Sequence, residues 1–251
     1  MEERPLILSL DTATLGGSTC LALGSQVLAT RLGDPAVSHS ETLLRDIEEL
    51  LKEAGRSVTD VDLFAAASGP GSFTGLRIGL ATIKAFSAFL HRPCAGLPTL
   101  ETIAYAAGPS QATVALLPAG RGELFAQLLS VAPDGEVIEI DTASHLSPEK
   151  VLDRYKAERK LVWAGPGARQ HSDLIQKFAN QRRYEFGVVT GEVLVGFGDG
   201  WVVAAREANL APSVAALALQ RFKKGKTGGP ESIEAFYVRP SDAELKVNAT
   251  S

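Results

Sequence analysis

Short apolar runs separated by glycine turns open the chain: Leu6 to Leu10, Ser18 to Leu23 after Gly16 and Gly17, and Gln26 to Arg31 after Gly24 and Ser25. Runs of this length and spacing read as strands. Three strands in succession predict a meander, which is not how a doubly wound nucleotide-binding fold begins. A helix is expected from Ser38 to Ala54, because Ser38 and Glu41 have capping-box spacing and Gly55 stands where a helix stops. Its stripe of Leu43, Leu44, Ile47, Leu50, Leu51 and Ala54 is wide enough to meet both a sheet and another chain. A continuously apolar strand from Val61 to Ala67 leads through Gly69-Pro70-Gly71 into a second helix, Phe73 to Leu90, whose core face is Leu76, Leu80, Ile83, Phe86 and Leu90.

Prolines bound a short strand within His91 to Pro98, Thr99 caps a helix through Ala107, and Gly108-Pro109 marks the expected boundary between domains at 1–108 and 109–251. The second half repeats the style of the first. A meander is expected over Thr113 to Leu117, Leu124 to Val131 and Glu136 to Ile140, hinting at an internal duplication. A helix from Pro148 to Glu158, a strand from Leu161 to Ala164 and a helix from Ala168 to Asn180 follow. The glycine-rich stretch Glu185 to Trp201 fits no element. Helices are expected at Val202 to Ala208 and Ser213 to Lys223, and Ala235 to Pro240 reads as a strand or clasp returning to the body.

Composition narrows the function classes. The 251 residues are 45% hydrophobic and 22% charged with a net charge of −4, an ordinary globular balance that argues against a surface built to wrap phosphate backbones. Any role on RNA is expected to be indirect. Two cysteines, Cys20 and Cys94, make no disulfide framework and have no metal-ligand spacing. The N-terminal apolar run is too short and too acidic in its flank for a signal peptide, and no segment reaches the roughly 20 apolar residues of a membrane span. The chain reads as cytoplasmic, with no membrane partner.

Candidate chemistry is sparse. The histidines at 39, 91, 145 and 171 form no metal-binding pair, and Gly71-Ser-Phe-Thr-Gly75 misses the Gly-x-Ser-x-Gly elbow by one residue. Backbone amides after Gly69 suit an anion, but the dinucleotide and P-loop patterns are incomplete. Asp11, at the end of the first strand, stands where actin-like ATPases and sugar kinases hold a carboxylate near the nucleotide; it reads equally as the cap of its own turn. Gly165 and Gly167 are the corresponding adenosine-loop candidates. Gly71, Gly75 and Gly79 recur every fourth residue along the second helix, at roughly 1 kcal/mol each relative to alanine. They imply close approach of another backbone, or tight packing on this chain's own sheet. The basic run Arg221 to Lys226 closes a helix, where cations favour the dipole.

The stretch Ser38-His-Ser-Glu-Thr-Leu-Leu44, followed by Ala67-Ser-Gly-Pro-Gly-Ser-Phe-Thr-Gly-Leu-Arg-Ile-Gly79 and later by Phe236-Tyr-Val-Arg239, resembles the TsaB (YeaZ) family. Those proteins are dimerisation subunits of the bacterial tRNA threonylcarbamoyladenosine machinery. The resemblance implies a two-domain actin-like α/β fold with mixed sheets flanked by helices. It also implies a noncatalytic subunit that forms a heterodimer with the catalytic paralogue TsaD, in an assembly with the ATPase TsaE. No cofactor or metal of its own is expected, with ATP at the complex interface, tRNA engaged indirectly, and a homodimer when the chain is alone. The partner-binding residues implied are Ser38, His39, Glu41, Leu44, Ile47, Gly71, Phe73, Thr74, Gly75, Arg77 and Gly79. The nucleotide candidates are Asp11, Gly69, Gly165 and Gly167. One departure stands out: where the family often carries an Asp-Ala-Arg-x-x-Glu segment, this chain reads Pro118-Ala-Gly-Arg-Gly-Glu123. A stand-alone actin-like ATPase or small-molecule kinase, and a peptidase-like hydrolase, are the alternatives.

Overall fold

The computed structural model describes residues 4–34, 36, 39–190, 199–204 and 209–238. They form two units, one made of the chain through Thr102 together with Asn209–Tyr237, the other of Ile103–Ala208.

In the first unit the expected meander is present: β1 (Leu6–Asp11), β2 (Ser18–Leu23) and β3 (Gln26–Leu32) pair antiparallel. Helix α1 (His39–Glu53) follows and ends at Gly55, whose φ of +63° lets Arg56 N–H reach Leu51 O at 2.9 Å and Gly55 N–H reach Lys52 O at 3.1 Å. These are the two bonds of a Schellman closure. The expected N-cap Ser38 lies outside the described residues. Strand β4 (Leu63–Gly69), helix α2 (Phe73–Leu90), strand β5 (Cys94–Pro98) and helix α3 (Thr99–Ala107) complete the order, giving a sheet β3-β2-β1-β4-β5 in which β1, β4 and β5 run parallel.

The second unit repeats that order. Strands β6 (Ser110–Gly120), β7 (Glu123–Val131) and β8 (Val137–Glu139) form the meander, with β9 (Ser144–Leu146) also paired to β7. Helix α4 (Pro148–Arg154), strand β10 (Leu161–Ala164), the short helix α5 (Pro166–Gln170), helix α6 (Ser172–Gln181), strand β11 (Glu185–Val189) and strand β12 (Gly200–Ala204) follow. Read from the meander outward, β8-β7-β6-β10-β12 matches β3-β2-β1-β4-β5, and β11 is one added parallel strand. The duplication suggested by the two meanders is thus a repeat of topology. Trp163 and Trp201 fill the core of this unit, their ring centroids 4.8 Å apart, and Trp201 Nε1–H donates to Glu158 O at 2.8 Å.

Two expectations need correction. The helix expected from Val202 to Ala208 does not begin there: Val202, Val203 and Ala204 lie in β12 between β10 and β11, where β-branched side chains buried on both faces fit a parallel strand, and 205–208 lie outside the described residues. The second domain also does not run without interruption from residue 109, because Asn209–Tyr237 belong to the first unit. Helix α7 (Ala211–Lys223) belongs to the first unit and packs on β1, β2, β4 and β5. Ser9 Oγ donates to Ala211 O at 2.8 Å, and Ala211 N–H donates to Ser18 Oγ at 3.0 Å.

This return explains why β1 reads as an unbroken apolar run. Leu6, Leu8 and Leu10 pack with Leu43, Ile47 and Leu50 of α1 and with Leu80 and Ile83 of α2, while Ser9 faces α7. Among the described helices α2 alone is long and apolar enough to cross a membrane by composition. Its Leu76, Leu80 and Ile83 are buried in the first unit.

Candidate partner-binding site

The turn that leaves β1 and the start of α2 are built as one piece. The Asp11 carboxylate is fully buried and accepts from Ala13 N–H at 2.9 Å, from Thr14 N–H at 3.3 Å and from the Thr14 hydroxyl. A carboxylate so engaged caps its own turn. Ala13 O, fixed by that turn, accepts from Ser72 N–H at 2.9 Å, and Ser72 Oγ in turn accepts from Gly75 N–H at 3.2 Å as the N-cap of α2.

The glycine row faces this turn. A Cβ on Gly71 would sit 2.6 Å from Ala13 O, one on Gly75 would overlap the Thr12 carbonyl, and one on Gly79 would overlap the Thr12 hydroxyl. Gly75 and Gly79 are buried. The glycines therefore serve packing against the chain's own backbone, which corrects their assignment to a surface for a partner. Ile47 is corrected for the same reason: at 3% exposure it belongs to the core.

The nucleotide candidates are occupied as well. At Gly69 φ is +116°, the Gly69–Pro70 peptide is cis, and a Cβ would overlap Phe236 O. The clasp foreseen near the C-terminus lies here, with Phe236 N–H donating to Ser68 O at 2.7 Å. Gly165 (φ +93°) and Gly167 pack against Leu116 of β6, a Cβ on Gly165 falling 2.5 Å from Leu116 O and one on Gly167 falling 2.9 Å from Leu116 Cβ. These two glycines open α5 under β6. Among the described residues no group of His, Cys, Asp and Glu side chains is placed to hold a metal ion.

What remains outward is the far side of the two helices. On α1, Glu41 is exposed and Leu44 is 67% exposed; His39 begins the helix, its side chain lying outside the described residues. On α2 the exposed positions are Phe73, Thr74, Arg77, Ala81, Ala85, Ala88 and Phe89, the last at 82%. One charge in seven is few for a solvated helix face, and the alanines recur at the i, i+4, i+7 spacing of a flat stripe. The N-terminal end of the stripe carries aromatic rings: Arg77 stands over Phe73 with its guanidinium 3.9 Å from the ring centroid, and Phe73 meets the Tyr237 ring of the clasp at 5.5 Å. Of the expected partner-binding residues, Glu41, Leu44, Phe73, Thr74 and Arg77 thus lie outward on α1 and α2. The sequence reading missed Ala81, Ala85, Ala88, Phe89 and Tyr237. The alanine spacing opposite the leucine stripe was visible in the sequence, whereas the approach of Tyr237 to Phe73 was not.

The model of the family described as TsaD, tRNA N6-adenosine threonylcarbamoyltransferase, matches residues 35–224. The tRNA threonylcarbamoyladenosine biosynthesis protein TsaB of Escherichia coli K12 is 29% identical over 245 residues, covering 96% of this chain and 97% of that protein. TsaB of Haemophilus influenzae is 30% identical over 182 residues, covering 68% of this chain and 76% of that protein. The chain belongs to the TsaB (YeaZ) family. The solved structure of YeaZ from Pseudomonas aeruginosa superposes with a TM-score of 0.71 at 23% identity over 93% of this chain and 99% of that one, and fits the actin-like α/β fold seen here. Membership places the chain in tRNA threonylcarbamoyladenosine biosynthesis. The segment that departs from the TsaB pattern, Pro118 to Glu123, is the β6–β7 hairpin. Its tip residues Arg121 (φ +53°) and Gly122 (φ +78°) have the signs of a type I′ turn, and Glu123 pairs with His145 at 3.0 Å.

Proposed function

We propose that this chain is a noncatalytic accessory subunit that binds the catalytic paralogue TsaD through the outward faces of α1 and α2 and holds it in its active arrangement for threonylcarbamoylation of tRNA. The observation that carries this reading is the outer stripe of α2, in which small and apolar residues stand where a solvated helix would carry charges. A flat alanine stripe lets a second helix approach closely, and the aromatic group of Phe73 and Tyr237 with Leu44 supplies the large side chains that anchor interfaces. The TsaD family model matches this chain over most of its length, so the partner has a related fold able to present equivalent helices. The noncatalytic part of the reading is supported by Asp11, whose carboxylate is held in its own turn, and by the clasp over Gly69. In this reading ATP binds at the interface of the cytoplasmic complex, TsaE joins the assembly, and the effect on rate is a population shift in TsaD.

The test combines co-elution with activity. Ala81→Glu, at an exposed position in the middle of the stripe, is expected to leave the fold intact and to weaken TsaD co-elution by at least about tenfold, since it buries an unpaired charge. Product formation from TsaD, TsaE, threonylcarbamoyl-adenylate and tRNA should fall in parallel. Full co-elution of the variant, or equal product without this chain, would overturn the proposal.

A further inference from the structure

The basic run at the end of α7 has no part in the surface just described, yet it borders a hollow of the first unit. Strand β5 is the outermost strand of its sheet, and the chain after α7 returns to it: Cys94 N–H donates to Gly228 O at 2.8 Å, and Gly228 N–H donates to Cys94 O at 3.2 Å. Between this bridge and the end of α7 lies a cavity of about 220 Å³ walled by Cys94, Gly96, Arg221, Lys226, Thr227 and Ser232, among others. That is far more than one water needs.

Its walls are arranged for an anion. Arg221 is oriented by donating to Gly96 O and, at 3.0 Å, to Glu101, which fixes its fork while leaving further N–H donors. Lys226 is exposed on the rim, and Thr227 follows it in the wall. Ser232 Oγ is committed as a donor to Gly229 O at 2.7 Å. The end of a helix is ordinarily poor ground for an anion. Here Lys226 N–H takes up Arg221 O and Gly225 N–H takes up Phe222 O, with Gly225 at φ +63°, so the last carbonyls are turned into their own closure. Burial raises the Cys94 thiol above its ordinary pKa, so it forms a neutral wall; Lys84 and Glu231 lie near it, and Glu231 folds back against Gly229. Against Glu101 and Glu231 stand Lys84, Arg221 and Lys226, with Lys223 and Lys224 on the adjoining turn, a local excess of positive charge in a chain of net −4.

We infer that this cavity is a phosphate-binding site. RNA backbone is favoured as the source, because Arg221 and Lys226 line one pocket large enough for a phosphodiester, and the pathway acts on tRNA. The contact is local and independent of the α1 and α2 face. It adds direct contact with one or two phosphates to a chain whose overall charge excludes a wrapping mode.

The experiment follows the backbone amides of residues 226–232 by NMR in the full chain during titration with inorganic phosphate and, separately, with an unmodified tRNA transcript at low salt. Both titrants are expected to shift these amides. Lys226→Glu should abolish the phosphate response, weaken tRNA binding by roughly threefold to tenfold and lower the log–log salt slope by about one, while Lys226→Arg keeps both responses. A response to inorganic phosphate without one to tRNA keeps the site and assigns it to free phosphate. No response to either titrant, or responses unchanged in Lys226→Glu, would overturn the inference. Lys226 is exposed, so the amide spectrum of the variant away from the cavity serves as the check on folding.

Discussion

Thr12 shows how one residue sets the character of a whole motif. Its carbonyl and hydroxyl occupy the space that a methyl group on Gly75 or Gly79 would need, and its position is fixed by the Asp11 turn. Alanine gains roughly 1 kcal/mol over glycine in a free helix, while overpacking a rigid site costs typically 1–3 kcal/mol. Because the opposing atom at Gly75 is backbone, which has little freedom to move, the overpacking cost falls toward its upper end and Gly75→Ala is expected to destabilise the chain by up to about 2 kcal/mol net, read as a lower urea midpoint at unchanged m-value. An unchanged or higher midpoint would show that the turn yields. Cys20 offers a second residue-scale test. Burial raises its thiol to about 11 from an ordinary value near 9. The folded state then holds its proton where the unfolded chain has lost it, so stability is complete below about pH 9 and declines as pH rises toward 11. The loss attributable to this group approaches about 2–3 kcal/mol by pH 11. The difference in stability between the native chain and Cys20→Ala, measured by urea titration from pH 8 to 11, should therefore shrink with rising pH.

At the scale of elements, α2 joins two surfaces of different purpose. Its inner face of Leu76, Leu80 and Ile83 closes the core, and its outer face begins in the Phe73–Tyr237 contact that ties the clasp to the helix. A double-mutant cycle on Phe73→Ala and Tyr237→Ala should give a coupling of about 0.5–1.5 kcal/mol in stability, the range for paired aromatic rings. Additive losses would mean that the contact between the two rings does not help to hold the clasp. The same helix marks what the sequence could reveal. Its limits, Phe73 and Leu90, were readable because Ser72 is a good cap and the leucine period is regular. The inward purpose of its glycines was not, because the atoms they avoid belong to Thr12, some sixty residues earlier in the chain, on an irregular turn. Strand β12 failed for a different reason: Trp-Val-Val-Ala is apolar at every position, and a fully buried strand and a short buried helix look alike at that length. Its place between two parallel strands decides the matter.

For the molecule as a whole, the consequence of the repeated topology lies in where it stops repeating. Helix α7 follows the last strand of the second unit, yet Ala211, Val214, Ala215, Leu217 and Ala218 are buried in the first, on the face of the sheet opposite α1 and α2. Its amphipathic period made the helix legible, but periodicity does not say which sheet a helix will cover. Without α7 the second face of β1, β2, β4 and β5 would be open, and Ser9 and Ser18, both buried, would lose the Ala211 backbone groups that satisfy them. A fragment ending at residue 102 is therefore expected to expose a broad apolar sheet face and to fail to fold cooperatively. Joining residues 209–237 to it through a flexible linker should restore a single cooperative thermal transition by circular dichroism, at the cost only of a loop closure that grows slowly with length. A fragment through residue 102 that melts cooperatively by itself would show that α7 is an accessory to this sheet and not its second wall.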